Sequence, residues 1–438
     1  MDPLVIGFGS VFFIILLVGL RVPIGVALGL VSFVGFIIVR NFNVALSVVR
    51  DTPFAFANSW ELTAIPMFLL MGSIATASGI STSMFRAARL WLSGLPGGLA
   101  VAANLACAGF GAASGSSVAA SATMARLAVP EMLRAGYDKG LATGVVASAG
   151  TLAALIPPSI MFVIFGVFAE VSISKLLIAG VIPGLLTAAA YTSMIIIRSW
   201  LNPSIAPPLA AEELASLKTD RWQALGETWP VLLLIFGVIG TLYLGWVTPT
   251  EAGAVGAFMA VIIAVTRRAL TFKDFVGAVR ESMATSAQIF FVGIGAVMYT
   301  RLLALTGMGA FLSDAAAPFA ADPLMIILMM SLVYIILGMF LDPLGIMLIT
   351  IPVFLPLLNA LGLDLIWFGV IVVKYIEIGM LTPPVGFNIF VVSAAVGKSV
   401  PIGTIFRGVM WFLACEVVVM TLLIAFPQIS LWLPNLMS

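Results

Sequence analysis

Apolar runs dominate this chain, and their lengths suit a lipid bilayer, where a spanning helix needs about 20 apolar residues. Such runs cover 4–20, 22–39, 62–78, 141–168, 176–197, 231–246, 252–265, 286–305, 324–340, 368–396 and 409–426. Stretches at about 98–124 and 324–363 are interrupted by Gly, Ser, Asp and Pro, and read as re-entrant hairpins that enter and leave on one side. Interrupted backbone at membrane depth survives only where protein or a water-filled cavity surrounds it. The pattern therefore predicts an all-α polytopic membrane protein.

The longest polar stretch, 201–228, sits at mid-chain and carries Asn202-Pro203, Pro207-Pro208, Glu212-Glu213, Lys218, Asp220 and Arg221. It divides a first half, 1–200, from a second, 229–438. A slide of 226 residues pairs Pro130 with Pro356, Gly136 with Gly362, Asp138 with Asp364 and Pro157-Pro158 with Pro383-Pro384. In each half a hairpin-like stretch precedes a long helix broken at its double proline, about 141–169 and 366–396. Matched interruptions in two halves are the best sequence pointer to a transporter binding site.

Composition narrows the chemistry. Hydrophobic residues make up 62% of the 438 positions and charged residues 9%, against about 25% charged in soluble domains. The net charge of +1 gives no footprint for nucleic acid. The chain has no His, which removes His-based metal sites, general bases and proton relays. Cys107 and Cys415 lie among apolar and small residues, as buried free thiols do. The amino terminus runs straight into apolar sequence without a basic region and reads as a first membrane helix.

Proline donates no backbone hydrogen bond, so in a continuous helix Pro157 and Pro158 would leave the carbonyls of Ala153 and Ala154 unpaired, and Pro383 and Pro384 those of Gly379 and Met380. Unpaired carbonyls in hydrocarbon cost several kcal/mol each. A small hard cation such as Na⁺ could satisfy them; so could water or a hydroxyl. The run Gly111-Ala112-Ala113-Ser114-Gly115-Ser116-Ser117 fits a hairpin tip, with glycine for the turn and hydroxyls for coordination. Its counterpart, Gly338 to Gly345, carries Asp342. An ionisable residue in an apolar region marks a functional site, and Asp342 before Pro343 also suits a helix N-cap. Thr382 and Asn388 offer further oxygens. Lys374 and Glu377 are three apart on one helix and can neutralise each other; alternatively Lys374 faces a cavity and meets an anionic substrate. Arg301 reads as snorkelling to the interface, while Arg86, Arg89, Arg126, Arg134, Arg267, Arg268 and Lys273 lie between spans. Thr248-Pro249-Thr250-Glu251 is a capping box.

Several ordered motifs, AIPMFLLMG (64–72), ASGSS (113–117), GYDKGLATG (136–144), AGTLAALIPPS (149–159), SKLLIAGVIPG (174–184), TPTEAGAVG (248–256) and LTPPVGFN (381–388), resemble the large membrane subunit of tripartite ATP-independent periplasmic (TRAP) transporters. The resemblance implies two inverted repeats in an elevator-type ion-transporter fold, with a static scaffold and a moving transport region. It also implies import of a small organic acid (a carboxylate) driven by Na⁺ across the bacterial inner membrane. The implied partners are a periplasmic substrate-binding protein and a small four-helix membrane subunit, here expected as a separate chain because no four-helix segment precedes the first repeat. Carried over by position, one Na⁺ site uses Ser114 with carbonyls near Ala153, Ile156 and Pro158. The other uses Gly338, Asp342, Gly379, Thr382 and Pro384. Ser116, Ser117, Ser159, Asn388 and Lys374 are the substrate-binding candidates. No organic cofactor is implied. A stand-alone Na⁺-coupled di- or tricarboxylate carrier is the alternative. An ion channel and an intramembrane hydrolase rank below it, the latter because Ser114-Gly115 has no His to serve as base.

Overall fold

The structure is a computed structural model that describes residues 2–208, 220–319 and 323–437. Glu212, Glu213 and Lys218 of the mid-chain polar segment lie outside the described residues. Among those described there is no β-strand, and seven helices are long and apolar enough to cross a membrane. Shorter apolar helices, among them Pro3–Gly19, Ile24–Val39 and Leu324–Gly338, accompany them. The chain is thus an all-helical, multi-pass membrane protein.

Polar caps punctuate the apolar runs, each satisfying amide groups that the first helical turn leaves unpaired. Asp2, Asn41, Asp138, Ser172 and Asp364 each accept a backbone N–H at a helix start. Thr248 and Glu251 form the expected reciprocal capping box, and Thr271 with Asp274 forms a second that opens the 35-residue helix Phe272–Thr306. That helix packs along Ile24–Val39, Trp60–Ala77 and Pro343–Ala360.

The residues paired by the 226-residue slide take the same backbone roles. Gly136 and Gly362 both adopt positive φ, 78° and 64°. Asp138 and Asp364 both cap the next helix. The Pro157–Pro158 and Pro383–Pro384 bonds are both cis. Each double proline divides a long apolar run: Lys139–Gly150, a short 3₁₀ turn and Ile160–Phe168 in the first half, Leu365–Gly379 and Phe387–Val396 in the second.

Two features depart from the sequence expectation. The stretch around Arg86 and Arg89 is not a plain connection but an amphipathic helix, Ile80–Leu92. Arg86 pairs with Glu227 at 3.1 Å and Arg89 pairs with Glu131. Arg301 does not simply snorkel: its Nη1 donates to Thr52 Oγ1 at 3.0 Å across to the neighbouring helix. It lines a cavity of about 360 Å³ with Ser59, Glu170 and Thr300.

Small residues let helices touch backbone to backbone, as membrane helices commonly do. A Cβ on Gly144 would lie 2.7 Å from the Gly408 carbonyl carbon, so Lys139–Gly150 and Ile402–Ala425 cross with no side chain between them. The first broken helix is thereby fixed against the last long helix.

Candidate functional site

The first hairpin consists of Gly98–Ser114 and Ser117–Arg134, joined by a tip of two residues. Gly115 closes the first leg with φ 62°, and Ser116 caps the second by accepting from Ala119 N–H at 3.3 Å. Asn104 ties the first leg to Val181–Leu201 through bonds of 3.0 Å to Ala188 O and Thr192 Oγ1. The tip is pressed onto the first proline break. A Cβ on Gly115 would sit 2.6 Å from Pro158 O, and one on Gly111 would sit 2.7 Å from Ala153 Cα. The tip that carries Ser114 is therefore seated on the break at Ala153 and Pro158, and Ile156 lies in the segment between those two.

The oxygens there suit a small hard cation, which takes oxygen ligands. Ser114 Oγ is buried and has no partner. Among the described residues no N–H or hydroxyl donates to the carbonyls of Ala153 or Ala154. Ser159, by contrast, is occupied as a cap, accepting from Phe162 N–H at 3.4 Å.

The second hairpin consists of Leu324–Gly338 and Pro343–Ala360. Its first leg packs along the second broken helix and comes closest where two glycines meet: a Cβ on Gly338 would lie 2.7 Å from Gly379 Cα, and one on Gly379 would lie 2.5 Å from Gly338 Cα. Asp342 is exposed and caps the second leg, Oδ2 accepting from Gly345 N–H at 3.0 Å. In the 226-residue register Asp342 stands where the first hairpin has its cap Ser116. The carbonyls of the second break are not stranded as the proline arithmetic requires. Gly379 O accepts from Thr382 N–H at 3.0 Å, and Met380 O from Asn388 N–H at 3.2 Å. The cause is Gly386: its positive φ of 62° turns the chain back so that Asn388 N–H meets Met380. Each carbonyl keeps a second lone pair. Thr382 Oγ1 donates to Ile378 O at 2.7 Å, and Pro384 is exposed.

Between the two breaks lies a buried polar network. Lys374 does not pair with Glu377. Its Nζ binds Glu416 and donates to Thr187 Oγ1 at 3.1 Å. Tyr191 O–H donates to the other Glu416 oxygen. Three helices, Leu365–Gly379, Val181–Leu201 and Ile402–Ala425, meet through these side chains. Glu377 instead accepts from Ser117 Oγ of the first hairpin at 3.0 Å. Glu416 escaped the sequence reading, although an acid in the middle of an apolar run was the available signal. Asn388 is fully buried, and neither its Oδ1 nor its Nδ2 has a partner.

Residues 11–429 match the family model "Tripartite ATP-independent periplasmic transporter, DctM component". A C4-dicarboxylate TRAP transporter large permease protein of Pseudomonas aeruginosa is 35% identical over 87% of this chain and 88% of its own length. A sialic acid TRAP transporter large permease protein of Vibrio cholerae is 30% identical over 98% of both chains. An isethionate TRAP transporter permease protein of Oleidesulfovibrio alaskensis is 33% identical over 91% of this chain and 61% of that longer relative. In fold, the chain resembles the Alcanivorax borkumensis YdaH transporter, with a TM-score of 0.62 at 13% identity over 88% of this chain and 90% of that one. With hairpins, broken helices and a family match along nearly its whole length, this chain belongs to the DctM family, the large permease components of binding-protein-dependent TRAP transporters, and is a transporter subunit and not an enzyme.

Proposed function

We propose that this permease imports a small organic acid across the bacterial inner membrane, coupled to Na⁺ and moving by an elevator mechanism. A periplasmic binding protein delivers the acid, and the small membrane subunit is a separate chain. Relatives named for C4-dicarboxylate, sialic acid and 2,3-diketo-L-gulonate support the substrate class.

The observation that carries the reading is the seating of a hairpin on each double-proline break through glycine: Gly115 against Pro158 and Gly338 against Gly379. At the first, Ser114 Oγ and the carbonyls near Ala153, Ile156 and Pro158 hold Na⁺. At the second, Asp342 with oxygens of Gly338, Gly379, Thr382 and Pro384 does so. A bound Na⁺ supplies positive charge near an anionic substrate, and Ser116 and Ser159 offer that substrate hydrogen bonds. Movement is cheap only when sites for ion and acid are both filled or both empty.

The test is uptake into proteoliposomes carrying the permease and its small subunit, with the binding protein outside. Uptake should follow an inward Na⁺ gradient and fail without the binding protein. Transport indifferent to the Na⁺ gradient would overturn the coupling; uptake without the binding protein would favour a self-sufficient carrier.

A further inference from the structure

Among the described residues, the buried charged side chains are Lys374, Glu377 and Glu416, at 1%, 2% and 2% exposure. Ionised, they leave an excess of one negative charge. Lys374 is committed to Glu416, which also accepts from Tyr191. Glu377 has no cation of its own: Oε1 accepts from Ser117, and Oε2 has no partner at all. A buried carboxylate in that state is costly unless something positive meets it. Helix packing does not demand an acid here, since in the 226-residue register the same place in the first half is Thr151, itself buried.

Further unpartnered polar atoms lie on the neighbouring segments. Ser114 Oγ lies across the two-residue tip from Ser117, 4% exposed. Asn388 is bonded through its backbone to Met380, three residues beyond Glu377, and its side-chain amide is free and fully buried. Its helix packs against the second leg of the first hairpin.

We propose that Glu377, Ser117 and Asn388 form a further monovalent-cation site, which bridges the hairpin of one half to the broken helix of the other. It is separate from the two sites assigned above and rests on the sodium reading. A carboxylate, a hydroxyl and an amide oxygen give hard ligands to a small cation. The ion cancels the excess charge, so the hairpin tip rests stably on Leu365–Gly379 only while the ion is present. Cation occupancy then sets the position of the first hairpin and couples the two halves.

The experiment is thermal unfolding of the purified chain in detergent, with Na⁺ titrated against choline at constant ionic strength, alongside Na⁺-activated uptake in proteoliposomes. Glu377→Gln keeps the shape and an acceptor for Ser117 while removing the charge. Each saturating site multiplies the folding equilibrium by about ten for every tenfold rise in Na⁺, so this variant should respond with one such factor fewer than the parent. The Hill coefficient for Na⁺ in uptake should fall by about one. If Glu377→Gln fails to fold, Ser117→Ala keeps the charge, loses one ligand and should need several-fold more Na⁺. Equal Na⁺ responses in parent and Glu377→Gln would overturn the site, as they would if a proton neutralised the carboxyl. A parent with no Na⁺ response would overturn the sodium reading as well.

Discussion

Replacing Lys374 by Met and Glu416 by Gln should have unequal effects, because the helix holding Lys374 offers a second acid. Lys374→Met leaves Glu416 buried with only the Tyr191 hydroxyl, while Glu377 loses the nearby positive charge. Breaking a buried pair from one side costs about 3–5 kcal/mol. Glu416→Gln leaves Lys374 bonded to Thr187, and Glu377 lies three residues along the same helix, within reach of a new pairing. Its cost should be that of a charged hydrogen bond, about 1.5–3 kcal/mol. Lys374→Met combined with Glu416→Leu removes both charges and should recover most of the loss, since apolar replacement of a whole buried pair is often neutral. The assay is thermal unfolding of the parent and of these three variants in detergent. An equal or larger loss for Glu416→Gln, or a double variant as unstable as the two single losses added together, would refute the argument.

Further outcomes follow from the hairpins and caps. Asp342→Asn keeps an acceptor for Gly345 N–H, so folding should persist while the Na⁺ response of uptake weakens; Asp342→Ala should weaken that response and also lose about 1 kcal/mol from the lost cap, and unchanged uptake and Na⁺ response would count against the site. Gly115→Ala combines an unfavourable positive φ with a Cβ 2.6 Å from Pro158 O, so overpacking of about 1–3 kcal/mol should appear together with loss of uptake; normal unfolding and transport would show that the tip is not seated there. Thr248→Ala opens the capping box at the start of Pro249–Thr266 and should cost about 1 kcal/mol in thermal stability with the Na⁺ dependence of uptake untouched.

Hairpins and breaks were legible because Gly and Pro act on the backbone where they stand. Gly115, Pro157-Pro158 and Pro383-Pro384 specify turns irrespective of what surrounds them, and the caps Asp138 and Asp364 announce the helices after them. Residue pairing was not legible in the same way. Helical spacing puts Glu377 within reach of Lys374, but the choice went to Glu416, on a helix that only the folded structure brings alongside. The stranded-carbonyl argument held for Ala153 and Ala154, where a helix restarts directly after Ser159. It failed for Met380 because Val385 and Gly386 give the second break room to fold back, and a donor then arrives from downstream. Ile80–Leu92 was missed because its polar positions, which include Arg86 and Arg89, interrupt the apolar run that marks a spanning helix.

The long helix Phe272–Thr306 has a consequence for how the protein sits in lipid. At a rise of about 1.5 Å per residue, 35 residues extend for roughly 52 Å, against a hydrocarbon layer of roughly 30 Å. Lys273, Asp274, Arg280 and Glu281 all fall within its first ten residues, so this end stands in water or among headgroups. Drawing it inward would immerse four charges in oil. The beam is therefore moored at one depth, and Ile24–Val39, Trp60–Ala77 and Pro343–Ala360, which lie along it, share its mooring.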